Sequence, residues 1–374
     1  MPVLAILLGI LLIIVVAKDS FETIVLPRRV SYKFRLTYFF YRVTWKFWGT
    51  IGRRMHASNR REQYLGFYGP LSLILLLIVW AVIFIVAFAL IHWGLRSPLN
   101  APEKVPTFGS YLYMSGTTFF TLGLGDIAPL TGLSRMLMVI EAGIGFGSLA
   151  LVIGYVPVIY QAFSRRELHI SLLDARAGSP PSAVELILRH RNQPEELARF
   201  LNEWEHWCAE LLESHLSYPV LAYYRSLHEN QSWLGALTSI LDACALLLVG
   251  IEGLPVKPAK FTFAIARHAA VDLAQSFGVS PNLHAKRLSS LEFRQLQQVL
   301  ARDGLMFKDP ATAEERLAHI RGKYELFVAS LAQHMLLSLP AWLAPENPID
   351  DWQTSAWDHF LDTSPRTLDE TMLA

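Results

Sequence analysis

The chain has 374 residues, of which 52% are hydrophobic and only 17% charged. Its 33 Lys and Arg nearly balance 32 Asp and Glu, so overall charge gives no argument for a nucleic-acid partner. Two distant cysteines, Cys208 and Cys244, exclude a disulfide framework and a cysteine zinc site, and they suit a reducing compartment.

With a mean hydropathy of +0.31, the composition belongs to a membrane protein that carries a soluble domain. Val3–Ala17 is uncharged and apolar. At 1.5 Å per residue it reaches about 22 Å, short of a hydrocarbon core of about 30 Å. No basic stretch precedes it and no small-x-small site follows it. It is therefore expected to be a retained short span, helped by Phe21–Leu26 and local bilayer thinning, rather than a cleaved signal.

Residues 27–61 hold ten Lys or Arg and no acid, interleaved with Tyr38, Phe39, Phe40, Tyr41, Trp45, Phe47 and Trp48. Beside membrane spans this mixture predicts an interfacial helix, with aromatics at headgroup depth and cations facing anionic lipid, in preference to a nucleic-acid site. Leu71–Ile91 is twenty-one residues without charge, enough for a full span. His92–Tyr111 has the prolines and few charges of an external loop. Met136–Phe163 is apolar except for Glu141 and Gln161, and Arg165 and Arg166 follow it. Both basic clusters lie on one side of such a chain, which predicts three spans with the N-terminus outside and the C-terminal part in the cytoplasm.

Between the last two apolar segments, Thr118–Asp126 reads T-F-F-T-L-G-L-G-D. A short helix-like stretch leads into it and a membrane helix follows. This arrangement resembles the pore loop of two-transmembrane potassium channels, over about Gly69–Phe163. The resemblance implies an all-α pore domain of outer helix, pore helix with filter, and inner helix. It implies a homotetramer and potassium ions as the only bound species. The carbonyls of Thr121, Leu122, Gly123 and Leu124 would be ligands, with Gly125 completing the filter. Alternate filter residues need backbone angles that most side chains avoid, which Gly123 and Gly125 supply. Phe108–Phe120 would be the pore helix, its C-terminal end favouring a cation. Thr117, Thr118 and Asp126 would support the filter. Tyr113 stands where the family often has a tryptophan that bonds this aspartate.

The family's usual filter is T-V-G-Y-G-D, so Leu122 and Leu124 depart from it, and leucine cannot make the bracing hydrogen bond of the tyrosine. Two readings of function follow. One is a potassium-conducting channel with a helical regulatory or assembly domain; the other is a membrane-anchored sensor or binding protein whose pore is degenerate. No span carries the regular arginines of a voltage sensor. In the inner helix, Gly143, Gly145 and Gly147 are candidates for a hinge or for close helix packing. Pro157 resembles a proline bend and predicts a kink. Glu141 requires a partner in the membrane: Thr117 or Ser115 of the pore helix, or a pore cation.

The resulting division is 1–26 first span, 27–66 interfacial segment, 67–163 pore domain, 164–182 linker, 183–343 helical cytosolic domain and 344–374 acidic tail. Gly178-Ser179-Pro180-Pro181 marks the linker. Ser182-x-x-Glu185 and Ser289-x-x-Glu292 are capping boxes. Pro194 opens an amphipathic helix through Leu197, Phe200, Trp204, Trp207 and Leu211, and Lys260–Phe277 ends at Gly278. Asp309-Pro310 opens a long helix that stops before Pro340. Ser232–Val249 is apolar enough to suggest a fourth span, but Ser239, Asp242 and its polar flanks predict a core helix. The tail holds seven acids against Arg366, with Trp352, Trp357 and Phe360 able to dock part of it. Residues 213–218 and 225–229, with His215 and His228, are polar and aromatic enough for a cytosolic ligand, though packing is the favoured role. No nucleophile elbow, phosphate loop or zinc motif supports an enzyme.

Overall fold

A computed structural model of the chain describes residues 2–26, 35–56, 58–100, 105–226 and 230–343. The acidic tail, His228 and residues 27–34 of the basic segment lie outside these. The architecture is all-α, with one two-residue strand pair among the described residues. It divides into two compact units, Met1–Phe163 with Ser214–Tyr224, and Ser164–Glu213 with Arg225–Ala374.

In the first unit, helix α1 (Pro2–Ser20) continues as a wider turn over Phe21–Val25. The apolar helical run is thus 24 residues, longer than the expected Val3–Ala17 and sufficient to cross a bilayer. It reaches past the charged residues because Asp19 is buried with partners. The Asp19 carboxylate accepts hydrogen bonds from the Thr37 amide at 3.2 Å, the Thr37 hydroxyl at 2.6 Å and the Trp80 indole at 3.0 Å. Those bonds pin the end of α1 to α2 (Leu36–Arg54) and to α4 (Tyr68–Gly94). Helix α3 (Asn59–Gly66) leads into α4. Small residues let α1 and α4 approach closely. A Cβ on Gly9 would lie 2.6 Å from the Ala87 carbonyl, and one on Gly94 2.7 Å from the Pro2 carbonyl.

Strand β1 (Leu99–Asn100), pore helix α5 (Phe108–Phe119) and strand β2 (Ala128–Pro129) follow. The strands pair antiparallel, Leu99 with Pro129 and Asn100 with Ala128. Helix α6 (Gly132–Ala177) has 46 residues, about 69 Å at the usual rise, more than twice the thickness of a hydrocarbon core. Pro157 sits inside it without ending it. Most of the expected linker 164–182 is therefore helix. Arg165 and Arg166 do not terminate it, because charge does not break helical hydrogen bonding as proline or glycine does. Among the described residues, three helical segments, Pro2–Val25, Asn59–Gly94 and Gly132–Ala177, are long and apolar enough to cross a membrane.

The second unit is built from α7 (Ala183–Arg189), most of α8 (Pro194–Ser217), α9 (Trp233–Val249), α10 (Val256–Ser276), α11 (Ser290–Arg302), α12 (Ala313–Arg321) and α13 (Glu325–Met335). Local signals set several starts: the Ser182, Ser232 and Ser289 hydroxyls accept the amides of Glu185, Gly235 and Glu292 at 3.1, 2.9 and 3.3 Å. Glu292 reciprocates, completing its capping box. Glu185 pairs with Arg189 at 2.7 Å instead.

Helix α9 is buried along its length except for half-buried Leu248, as a core helix requires. Its one charge is matched: the Arg287 guanidinium donates to Asp242 at 3.2 and 2.7 Å, and the Tyr324 hydroxyl also donates to it. Burial pushes the Asp242 carboxyl up, against the pull of Arg287. Arg287 and Arg321 lie over the Trp342 ring at 5.9 and 5.4 Å. The single long helix expected after Asp309-Pro310 is two. Gly322 ends α12, and Tyr324 departs from helical angles as its buried side chain reaches Asp242. Cys208 and Cys244 are free and buried, and burial raises both thiols. Ser214–Tyr224, expected in the C-terminal domain, belongs to the first unit.

Candidate ion-conduction pore

The pore helix starts at Thr107, whose side chain and that of Ser110 cap it reciprocally. Its last turn closes onto the candidate filter: the Leu122 amide donates to the Thr117 carbonyl at 2.8 Å and the Thr121 amide to the Thr118 carbonyl at 2.9 Å. Two of the orphan carbonyls at the helix end are thereby used. Beyond them the backbone alternates. Thr121, Gly123 and Gly125 have φ of 55°, 60° and 75°, while Leu122 and Leu124 stay on the ordinary side. Glycine adopts such angles freely. Thr121 does not, and a β-branched residue there is an outlier that its surroundings must hold. The spacing of the two glycines foretold the alternation; nothing local announced Thr121 as its third member.

Residues 121–126 are all exposed in the isolated chain, including Leu122 and Leu124. The Tyr113 side chain lies near enough to Asp126 to interact with it, so the two expected support residues are neighbours. The Thr117 hydroxyl turns back to the Met114 carbonyl at 2.9 Å, while Thr118 is buried. Glu141 is fully buried and accepts a hydrogen bond from the Ser115 hydroxyl, which ties the inner helix to the pore helix. Of the partners considered, the one found is Ser115, not Thr117.

Gly145 packs rather than standing free. A Cβ there would lie 1.9 Å from the Phe119 carbonyl oxygen, far inside any permitted contact. The chain thus brings the inner-helix backbone onto the end of the pore helix at the one residue type without a side chain. Gly143 and Gly147 have nothing within 4 Å of a built Cβ, so no close approach explains them.

A further network, unnoticed in sequence, lies beyond the candidate filter. The buried Ser97 hydroxyl accepts from the Ser134 hydroxyl at 2.9 Å and lies 3.1 Å from His92 Nδ1. The Tyr111 hydroxyl donates to the Ser97 carbonyl at 2.9 Å, and Arg135 Nε donates to the Pro129 carbonyl at 3.1 Å. Together with the β1–β2 pairing, this joins the ends of α4, α5 and α6 around the segment that leaves the filter. Single polar residues at helix ends (His92, Ser134) and in a loop (Ser97) carry no periodic signal, which is why the sequence concealed them. Among the described residues, no group of three or more His, Cys, Asp or Glu is placed to hold a metal. His215 is buried with Ser214 Oγ at 3.1 Å from its Nδ1.

These elements define a two-transmembrane, pore-loop domain. Residues 71–161 match the family described as "Ion channel". A Bacillus subtilis (strain 168) protein, "Uncharacterized membrane protein YdjJ", is 24% identical over 198 residues, covering 52% of this chain and 57% of the relative. The chain thus spans little more than half of that relative's length. No solved structure matches. The chain is a membrane protein that carries a segment similar to an ion-channel family.

Proposed function

We propose that four copies of this chain form a passive cation channel that conducts potassium and performs no enzymatic chemistry. The observation that carries this reading is the alternation of left-handed angles at Thr121, Gly123 and Gly125. Such alternation gathers successive carbonyls on one side of a strand, as replacement of an ion's water shell requires. One loop per chain cannot surround an ion, so the ring needs several copies.

The inner helix supports assembly. Val139, Phe146, Ile153 and Tyr160 recur every seventh residue and are 72%, 67%, 65% and 67% exposed. A seven-residue step returns to nearly the same helix face, the seam along which helices of a bundle meet. The proposed topology puts the N-terminus outside and the C-terminal unit in the cytoplasm. Helix α2 then lies in the inner interface. Phe39, Val43, Phe47 and Ile51 are exposed at four-residue spacing, beside exposed Arg42, Lys46 and Arg53, a pattern suited to anionic lipid. Nucleic acid is not a proposed partner.

Ion flux from purified protein in liposomes tests the reading. Wild-type protein is expected to pass potassium in preference to sodium, and Gly123→Ala to lose that selectivity. A side chain at this angle costs about 1–2 kcal/mol in each copy. Unchanged selectivity in Gly123→Ala would remove the filter assignment. Leu122 and Leu124 favour a second reading, a weakly selective or silent pore in a sensor protein. Equal potassium and sodium flux, or none, from wild-type protein supports it.

A further inference from the structure

The segment that leaves the C-terminal unit and returns to it is built into the base of the pore unit. The first twenty residues of α8 belong to the second unit; Ser214–Tyr224 belongs to the first; Arg225 resumes the second. Pro219–Tyr223 forms one tight helical turn, and Val220, Leu221, Ala222 and Tyr223 are all buried. Val220 and Leu221 pack in one apolar cluster with Leu73 of α4 and Tyr155, Ile159 and Ala162 of α6. The Tyr223 ring lies 4.9 Å from Trp45, 5.1 Å from Tyr68 and 5.8 Å from Tyr41, the last pair stacked. Tyr218 meets Tyr155 at 5.6 Å and Tyr224 meets Phe163 at 5.6 Å. The contacts on α6 therefore bracket Pro157. Proline lacks an amide, so the Ile153 carbonyl four residues earlier loses its helical donor there, which leaves the helix less constrained at this point.

We propose that Ser214–Tyr224 is the transmission element of this protein: a strap, tied at both ends to the C-terminal unit, that clamps the inner helix around Pro157 and passes rearrangements of that unit to the pore. Its attachment on the returning side is specific, since the Arg225 guanidinium donates to the Met335 and Leu336 carbonyls at 2.6 and 3.2 Å. A loop serving only to connect helices would run over the surface, where its backbone meets water. This one instead spends four consecutive buried side chains on two membrane-spanning helices and the interfacial helix. Both α6 and the strap run on in the chain into the C-terminal unit. The proposal rests on the channel reading for its consequence but not for its contacts.

Two measurements on the full-length protein test it separately. In liposome flux, Tyr223→Ala is expected to change the potassium rate by about tenfold with the potassium-to-sodium ratio unaltered, as a shift between two states does. Tyr223→Phe, which keeps the ring, is expected to behave as wild type. Should Tyr223→Ala fail to assemble, Val220→Ala takes its place. Wild-type flux and gating in an assembled variant would overturn the proposal. In hydrogen exchange, Arg225→Ala is expected to speed exchange of backbone amides both in residues 219–224 and in residues 153–163 of α6. Unaltered exchange in α6 would overturn the strap whether or not the pore conducts. If wild-type protein passes no ions, the channel reading fails and the exchange result alone decides the strap.

Discussion

Helices α6 and α9 are both rich in apolar residues, yet their surroundings are opposite. Only 11% of the most apolar window of α6 is buried within the chain, while α9 is covered almost throughout. Length separates them first: 46 residues against 17, where about 20 are needed to cross a bilayer. Charge separates them next. Asp242 in α9 has a guanidinium and a phenol as partners, a full set for a buried carboxylate. Glu141 in α6 has a single hydroxyl donor, Ser115. The comparison teaches that an apolar helix declares that it will be covered, and leaves open whether protein, lipid or another copy does the covering.

The pore side of this contrast is broken most severely at Gly145. Gly145→Ala places a methyl 1.9 Å from a backbone oxygen, so α5 and α6 must part. We expect complete loss of conduction and of a stable assembly in detergent, measured by liposome flux and by mass. Gly143→Ala, with nothing within 4 Å in the chain, should leave the fold of the isolated chain intact. If Gly145→Ala conducts as wild type, the approach of the two helices at this residue is not required.

On the other side, Arg287→Ala removes the charged partner of a fully buried carboxylate and leaves only the Tyr324 hydroxyl on it. It should destabilise the C-terminal unit by about 3–5 kcal/mol, the cost of stranding a buried charge. Chemical denaturation followed by circular dichroism would measure this. A loss below about 1 kcal/mol, the size of a surface ion pair, would mean that Asp242 finds water and that α9 is less enclosed than the contrast requires.

The smallest effect sharpens the local part of the comparison. Ser289→Ala should cost about 1 kcal/mol through its lost helix cap. The Ser289 amide and hydroxyl hold the Glu292 carboxyl below its usual value. The sign follows from that depression. The contribution is complete above the ordinary glutamate range and disappears as pH falls through the lowered folded value. Wild-type protein should therefore lose more stability than Ser289→Ala on acidification below the ordinary glutamate range. Parallel pH profiles for the two proteins would contradict this.

Sequence alone determined the parts of this protein whose physics is local. The Gly-Leu-Gly-Asp run marked the alternating backbone, because two of its three left-handed angles fall on glycines within the motif itself. Uninterrupted apolar length marked the spans, and Ser182, Pro194 and Ser289 marked helix starts because a cap acts within one turn. Tertiary structure decided everything that needs a distant partner. It chose packing for Gly145, and it chose Ser115 for Glu141. It extended α1 past Asp19 by supplying Thr37 and Trp80. It split the helix after Asp309-Pro310 by drawing Tyr324 to Asp242, and it assigned Ser214–Tyr224 to the pore unit. In each case the deciding group lies many residues away in sequence, so no spacing or composition near the residue carries its mark. The free energy of the choice appears only when the two surfaces meet.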